Sequence, residues 1–227
     1  MLKKLATFKN PKSRTAEAFR TLRTNIQFSS LDKELKCIVV TSSGSGEGKS
    51  TVMSNLAITI AESGKKVILV DCDLRKPSIH KKLGVTNSIG LTNMLVQGVK
   101  KEECIFKTTV NNLFVLTSGP IPPNPAELLG TKKMLNLIEE LKEEFELVLI
   151  DAPPVLAVTD AQILSTIADG VIFVASYGEA QKNALVDAKH LIDKVGGKII
   201  GIVFNKVPED VSGYHGKYYK GYYDTEN

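Results

Sequence analysis

Tryptophan is missing from this chain, and cysteine and histidine occur three times each in 227 residues. Each scarcity removes a class of function. Cys37, Cys72 and Cys104 are odd in number and form no CxxC pair, which argues against a disulfide framework or a zinc site and fits buried thiols in a reducing cytosol. His80, His190 and His215 are dispersed without metal-ligand spacing. No segment approaches the ~20 apolar residues of a membrane span, and MLKKLATFKNPKSR has no apolar run to serve as a signal peptide. A cytoplasmic protein without direct membrane insertion is expected, so any work beside a membrane would pass through a partner. The net charge of +4 is too mild to argue for nucleic acid. With 43% hydrophobic and 24% charged residues, one domain with a sizeable core is the expectation.

Tyrosine is almost absent from the body of the chain and crowded at one end. Tyr214, Tyr218, Tyr219, Tyr222 and Tyr223 lie in SGYHGKYYKGYYDTEN, and only Tyr177 lies elsewhere. Aromatics used for burial should be scattered among aliphatic segments. Here no aliphatic residue follows Val211, and the interleaved glycines oppose both helix and strand. The pattern predicts a flexible tail that displays phenol groups.

Elsewhere, short β-branched runs alternate with helical patterns. CIVVTS (37–42), KVILVD (66–71), NLFVLTS (112–118), ELVLID (146–151), GVIFVAS (170–176) and KIIGIVFN (198–205) are apolar on both sides of the pleat, as in strands covered on two faces. STVMSNLAITIAESG, TKKMLNLIEELKEEF and KNALVDAKHLIDKVG read as helices, the second with Leu135, Ile138 and Leu141 as its core stripe. Such alternation predicts an α/β fold with a mostly parallel, doubly wound sheet. Before the first strand, Phe19, Leu22 and Ile26 recur at helical spacing and predict an additional amphipathic helix. In PNPAELL, Asn124 is a candidate N-cap and Pro125 the first helical residue.

Chemistry begins at VVTSSGSGEGKST, where a strand end, a glycine-rich loop and a helix start follow one another. Backbone N–H groups along Gly44, Ser45, Gly46, Glu47 and Gly48 are suited to cradle phosphate oxygens. Lys49 would reach the β- and γ-phosphates, Ser50 would bind Mg²⁺, and Thr51 would complete the cradle. Ser43 stands where the strict GxxxxGK[ST] pattern has its first glycine. Two further strands deliver carboxylates to the same sheet edge: Asp71 and Asp73 from VILVDCD, and Asp151 from LVLIDAPP. An aspartate after four apolar strand residues is the pattern of a metal or metal-water ligand. Arg75 in LRKPSIHKK is either a phosphate contact or part of a solvated basic loop, and Asp160 is expected to cap the next helix. The full expectation is a three-layer P-loop NTPase fold, with residues 1–30 as an N-terminal helix region, 31–208 as the catalytic domain and 209–227 as the tail.

In this order, GSGEGKST, VILVDCDLRKP and LVLIDAPP resemble the motifs of the bacterial tyrosine kinases. EAFRTLRTNI before them, PPNPAELL between them, and NKV and the tyrosine cluster after them extend the resemblance to essentially the whole chain. The match is to the cytoplasmic kinases of capsular or exopolysaccharide synthesis. Partition, septum-positioning and nitrogenase-type ATPases share the aspartate-rich second strand. They usually carry a signature lysine where this chain has Gly44, and a partition-type ATP switch is the alternative reading.

The resemblance implies ATP and Mg²⁺ as cofactors, with Lys49, Asp71 and Asp73 catalytic and Ser50, Asp73 and Asp151 around the metal. Asn205 would contact adenine, and the five clustered tyrosines would be autophosphorylated. Glu17, Arg20 and Arg23 match an ExxRxxR motif that builds a ring of kinase subunits; by spacing alone, Glu17 and Arg20 make an ordinary surface ion pair. A separate transmembrane modulator would recruit the enzyme to the inner face of the membrane, and protein tyrosines would be its substrates. Asp71 is the expected acceptor of the phenol proton.

Overall fold

The computed structural model describes residue 2, residues 5–29 and residues 34–208. Two helices lead: α1 (Ala6–Lys9) and α2 (Arg14–Phe28), the latter capped by the Ser13 hydroxyl, which accepts from the Ala16 N–H at 3.2 Å. The α/β body follows as β1 (Cys37–Ser42), α3 (Lys49–Ala61), β2 (Val67–Asp71), α4 (Ile79–Leu83), α5 (Leu91–Gln97) and α6 (Lys101–Cys104). After these come β3 (Ile105–Lys107), β4 (Leu113–Leu116), α7 (Pro125–Leu129), α8 (Lys132–Glu144), β5 (Leu147–Asp151), α9 (Asp160–Ser165), β6 (Gly170–Ser176), α10 (Lys182–Lys194) and β7 (Ile199–Asn205).

One seven-stranded sheet runs in the order β3-β4-β2-β5-β1-β6-β7, parallel throughout except at β3, which pairs antiparallel with β4. The chain leaves β1 for β2, skips a position that β5 later fills, and returns to β6 on the other side of β1. The order therefore reverses around β1, and the crevice that such a reversal opens lies at the carboxyl ends of β1 and β5. The phosphate loop and Asp151 sit there.

Period-two alternation splits the strands between two apolar layers. Val39, Ile68, Val70, Val148, Ile150, Val171 and Phe173 face a layer shared with Met134, Ile138 and Leu141 of α8, Leu164 of α9 and Ile192 of α10. Ile38, Val40, Val67, Leu69, Leu149, Ile172 and Val174 face the other layer, built on Met53, Leu56 and Ile60 of α3. Phe19, Leu22 and Ile26 of α2 pack on this second layer, as their spacing predicts. Full burial of each large aliphatic side chain contributes about 1.5–3 kcal/mol, so both faces are needed to hold the sheet.

Several local expectations change. Leu135 is 42% exposed, and the buried stripe of α8 is Met134, Leu137, Ile138 and Leu141, the i, i+3, i+4, i+7 face that packs on the sheet. The strand expected over 112–118 closes at Leu116, since the Thr117 and Ser118 carbonyls accept from Leu91 and Thr92 instead of from a neighbouring strand. Asn124 does flank α7, yet its side chain does not accept from the helix; its Nδ2 donates to Glu127 at 3.0 Å. Tyr214, Tyr218, Tyr219, Tyr222 and Tyr223 lie outside the described residues. Among the described residues no helix is long and apolar enough to cross a membrane.

Candidate active site

The phosphate loop, Ser43–Gly48, joins β1 to the 13-residue helix α3. Gly46 and Gly48 adopt φ of 83° and 90°, a region in which a side chain strains the backbone. Gly48 is doubly constrained: a Cβ there would lie 2.1 Å from Asn205 Nδ2. Glu47 is buried and braces the loop from inside. Its carboxylate accepts from the Ser43 hydroxyl at 2.6 Å, the Gly44 N–H at 2.5 Å and the Ser176 N–H at 3.2 Å. The departure from the strict glycine pattern has its physical account here, because Ser43 supplies one of the three donors. The Glu47 side chain is thus committed within the protein, leaving backbone N–H groups as the loop's means of holding phosphate.

Lys49, the first residue of α3, lies among the predicted carboxylates. Its Nζ is 2.8 Å from Asp73 Oδ2 and 3.6 Å from Asp151 Oδ1. Asp71 and Asp151 are register partners at the ends of β2 and β5, both fully buried. Asp71 Oδ2 accepts from the Ser78 and Ile79 N–H groups, each at 3.1 Å, while its Oδ1 has no hydrogen-bond partner; Asp151 interacts with Ser50 and Lys49 but makes no close hydrogen bond. Asp73 is fully engaged, with Oδ2 on Lys49 and Oδ1 accepting from the Lys76 N–H at 3.0 Å.

Three buried carboxylates and one lysine leave an excess of negative charge, and the titration behaviour reflects it. Burial, then the charge of Asp151, push the Asp71 carboxyl up to about 8, against the Ile79 N–H. Burial raises Asp151 as well, opposed first by Lys49. For Lys49, burial alone would lower the ammonium, but attraction to Asp151 and Asp73 outweighs it and the net direction is upward. Desolvated carboxylate oxygens beside a phosphate loop fit a divalent cation. Among the described residues no three acidic, histidine or cysteine side chains form a closed metal cage. Mg²⁺ does not require one, since it usually keeps waters and substrate phosphates beside one or two carboxylates.

The profile of a family described as AAA domain matches residues 35–199. Tyrosine-protein kinase YwqD of Bacillus subtilis is 42% identical over 100% of this chain and 94% of its own length. The chain belongs to the bacterial tyrosine-protein kinases. The solved kinase domain of the Escherichia coli tyrosine kinase ETK superposes with a TM-score of 0.87 at 31% identity, covering 90% of this chain and 80% of that one. A septum site-determining protein MinD from Pyrococcus horikoshii, solved with Mg-ADP, superposes at 0.65 with 26% identity over 78% of this chain and 75% of its own. The fold is that of the P-loop NTPases, and the enzymatic class is protein-tyrosine kinase.

Within this kinase, other expected residues fall into place differently. Arg75 is engaged by Asp160. Its Nε and one terminal nitrogen hold the two oxygens of fully buried Asp160 at 3.0 and 3.1 Å. Asp160 is itself the first residue of α9 and Thr159 the flanking one, so the expected cap is instead the anchor of a bidentate ion pair across two loops. Asn205, at the end of β7, donates from Nδ2 to the Glu47 carbonyl at 2.9 Å, so its amide rests on the phosphate loop.

On α2, Arg20 pairs with Glu17 at 2.6 Å and contacts the Pro11 carbonyl, and Arg23 donates to the Thr59 carbonyl at 3.1 Å. One residue of the site escaped the sequence reading altogether. Lys82 of α4 donates to the Thr51 hydroxyl at 2.9 Å, at the first turn of α3. The signal was present in the run KK at 81–82, but only the packing of α4 on α3 tells the two lysines apart.

Proposed function

We propose that this kinase transfers the γ-phosphoryl group of ATP to tyrosine hydroxyls, its own clustered tyrosines among them. The single observation that carries the reading is the convergence of Lys49, the buried carboxylates of Asp71, Asp73 and Asp151, and a glycine loop at one sheet edge. Loop N–H groups and the N-terminus of α3 bind the phosphates, and Lys49 leaves its ion pair with Asp73 for the β- and γ-oxygens. Ser50 and Asp151 would hold Mg²⁺, with Asp73 joining them once Lys49 has moved. Bound there, Mg²⁺ would neutralise charge on the β- and γ-phosphates.

The phenol oxygen forms a bond to the γ-phosphorus as the bond from that phosphorus to the β-γ bridging oxygen breaks, and ADP departs with the electron pair. The phenol proton, from a group with a pKa near ~10, passes to Asp71. Burial and Asp151 hold a proton on Asp71 up to about 8 in the nucleotide-free protein; with the positive charge of Mg²⁺ beside it, Asp71 would release that proton, leaving the unpartnered Oδ1 to receive the phenol proton.

By resemblance, the reaction runs between subunits of a ring held through Glu17, Arg20 and Arg23, with Asn205 against adenine. A separate transmembrane modulator recruits the ring to the inner membrane face, where phosphorylation regulates capsular or extracellular polysaccharide synthesis. Seventeen residues separate Asn205 from Tyr222, about 55 Å when extended at ~3.3 Å each, enough to reach a neighbour's site. Phosphorylation of all five clustered tyrosines adds roughly −8 to −10 charges, outweighing the net +4 and favouring separation of the subunits.

The test is incubation with Mg-ATP followed by detection of phosphotyrosine. Wild type should label, deletion of residues after Val211 should remove most of the label, and Asp71→Asn should abolish labelling while still binding nucleotide. Full labelling of Asp71→Asn would remove Asp71 from the proton step.

A further inference from the structure

Lys82 occupies a position that folding alone disfavours. α4 is fixed over α3 by Ile79 and Leu83, both buried in the apolar layer under α3, and its first N–H groups are tied to Asp71. The half-buried Lys82 side chain is thereby aimed at Thr51, the third residue of α3.

Burial is the first cost of that placement, because it disfavours the charged ammonium; repulsion from Lys49 and from the positive end of α3 is a smaller addition. Among the described residues no carboxylate oxygen lies within 4.0 Å of Lys82, although Asp151 attracts it from farther away. Only one of its three ammonium donors has a described partner, the Thr51 hydroxyl. A partly desolvated cation without an ion pair, set at a helix start among phosphate-binding groups, is arranged for an anion that arrives later. The same helix dipole and Lys49 charge that oppose Lys82 in the empty protein act with it once phosphate lies between them.

We propose that Lys82 is a second phosphate-positioning residue, its ammonium holding a nonbridging phosphate oxygen of the bound nucleotide beside Thr51. The inference rests on the nucleotide reading above and adds a residue to it. Lys49 and Lys82 approach the phosphates from different elements, one from the loop and the other from the segment that follows Asp71. That second attachment ties α4, and through its N–H groups Asp71, to the presence of nucleotide. Lys82 is therefore placed to orient the proton acceptor as well as the phosphates.

The experiment measures binding of a fluorescent ADP analogue with Mg²⁺, thermal unfolding, and the KM for ATP against kcat. Lys82→Met should weaken binding roughly 10- to 100-fold, the range for one charge-assisted hydrogen bond, with a matching rise in KM and an unfolding temperature no lower than that of wild type. Lys82→Arg should restore affinity to within about threefold. Lys81→Met removes the same charge from the exposed side of α4 and should bind as wild type. Wild-type affinity in Lys82→Met would overturn the proposal. So would equal weakening by Lys81→Met, which would show only a long-range charge effect, or a fall in unfolding temperature that Lys82→Arg fails to rescue. Failure of wild type itself to bind the analogue would instead overturn the nucleotide reading, and this inference with it.

Discussion

Replacing Asp71 by asparagine should stabilise the nucleotide-free kinase, and the gain should grow with pH. Native Asp71 is fully buried, has one oxygen without a partner and stands in register beside Asp151. Burial first, and Asp151 second, lift its carboxyl from 3.8 to about 8. In the unfolded chain it titrates near ~3.9. Between these values the folded chain keeps a proton that the unfolded chain has released. Its contribution is therefore full below ~4 and is lost as pH rises through about 8.

At ~1.4 kcal/mol per pKa unit, a shift of that size sets a ceiling of roughly 6 kcal/mol. Asp151 is raised by the same burial, so the two carboxyls titrate as a pair and one substitution relieves part of the total. The expected gain is about 2–3 kcal/mol at pH 8.5 and falls below about 1 kcal/mol near pH 5. Asparagine preserves the local geometry: its oxygen accepts from the Ser78 and Ile79 N–H groups, and its neutral amide removes the like charge beside Asp151. Urea denaturation at pH 5, 7 and 8.5 in a chelating buffer measures the effect. Parallel pH slopes for wild type and variant would refute the reasoning, and a loss of stability at pH 8.5 would reverse its sign.

Two further outcomes follow from residues whose roles changed between sequence and structure. Glu47→Gln keeps an acceptor for Ser43 and Gly44 and loses only the one for Ser176, so it should cost about 1 kcal/mol and bind nucleotide almost normally. Glu47→Ala leaves those donors unsatisfied and should cost about 1–3 kcal/mol of stability along with nucleotide affinity; equal behaviour of the two variants in denaturation and nucleotide titration would contradict the brace. Arg75→Ala strands the buried Asp160 carboxylate and should destabilise by about 1–3 kcal/mol, with the partly exposed Arg75 side chain placing the effect toward the low end. Adding Asp160→Asn should recover much of that loss in a double-mutant cycle, whereas additive losses would show that the two residues act separately.

What could be read from the chain follows from how far each interaction reaches along it. The six expected strands were legible because each centres on a run of apolar residues of strand length; β1 and β6 match residue for residue, whereas β7, read as covered on both faces, is partly exposed at the sheet edge. The phosphate loop and its aspartates were legible because each lies at the carboxyl end of such a run, and parallel strands bring those ends to one edge. β3 was not, since three residues pairing antiparallel on an edge leave no periodic signal. The same limit governs the site's fine structure. Glu47 meets Ser176 across 129 positions, Arg75 meets Asp160 across 85, and Lys82 meets Thr51 across 31.

Nothing in the composition of LRKPSIHKK distinguishes the arginine that braces two loops from the lysine that enters the phosphate site. The distinction is made by α4. Burying Ile79 and Leu83 fixes the rotation of that short helix, and its rotation sends Lys82 inward and Lys81 to solvent. Apolar packing thus decides which cation meets the nucleotide. A substitution at Ile79 or Leu83 should accordingly change nucleotide affinity without touching a single polar group of the site. Leu83→Ala therefore serves as a packing test of the site: binding as tight as wild type in a folded variant would mean that Lys82 is held by its contact with Thr51 alone.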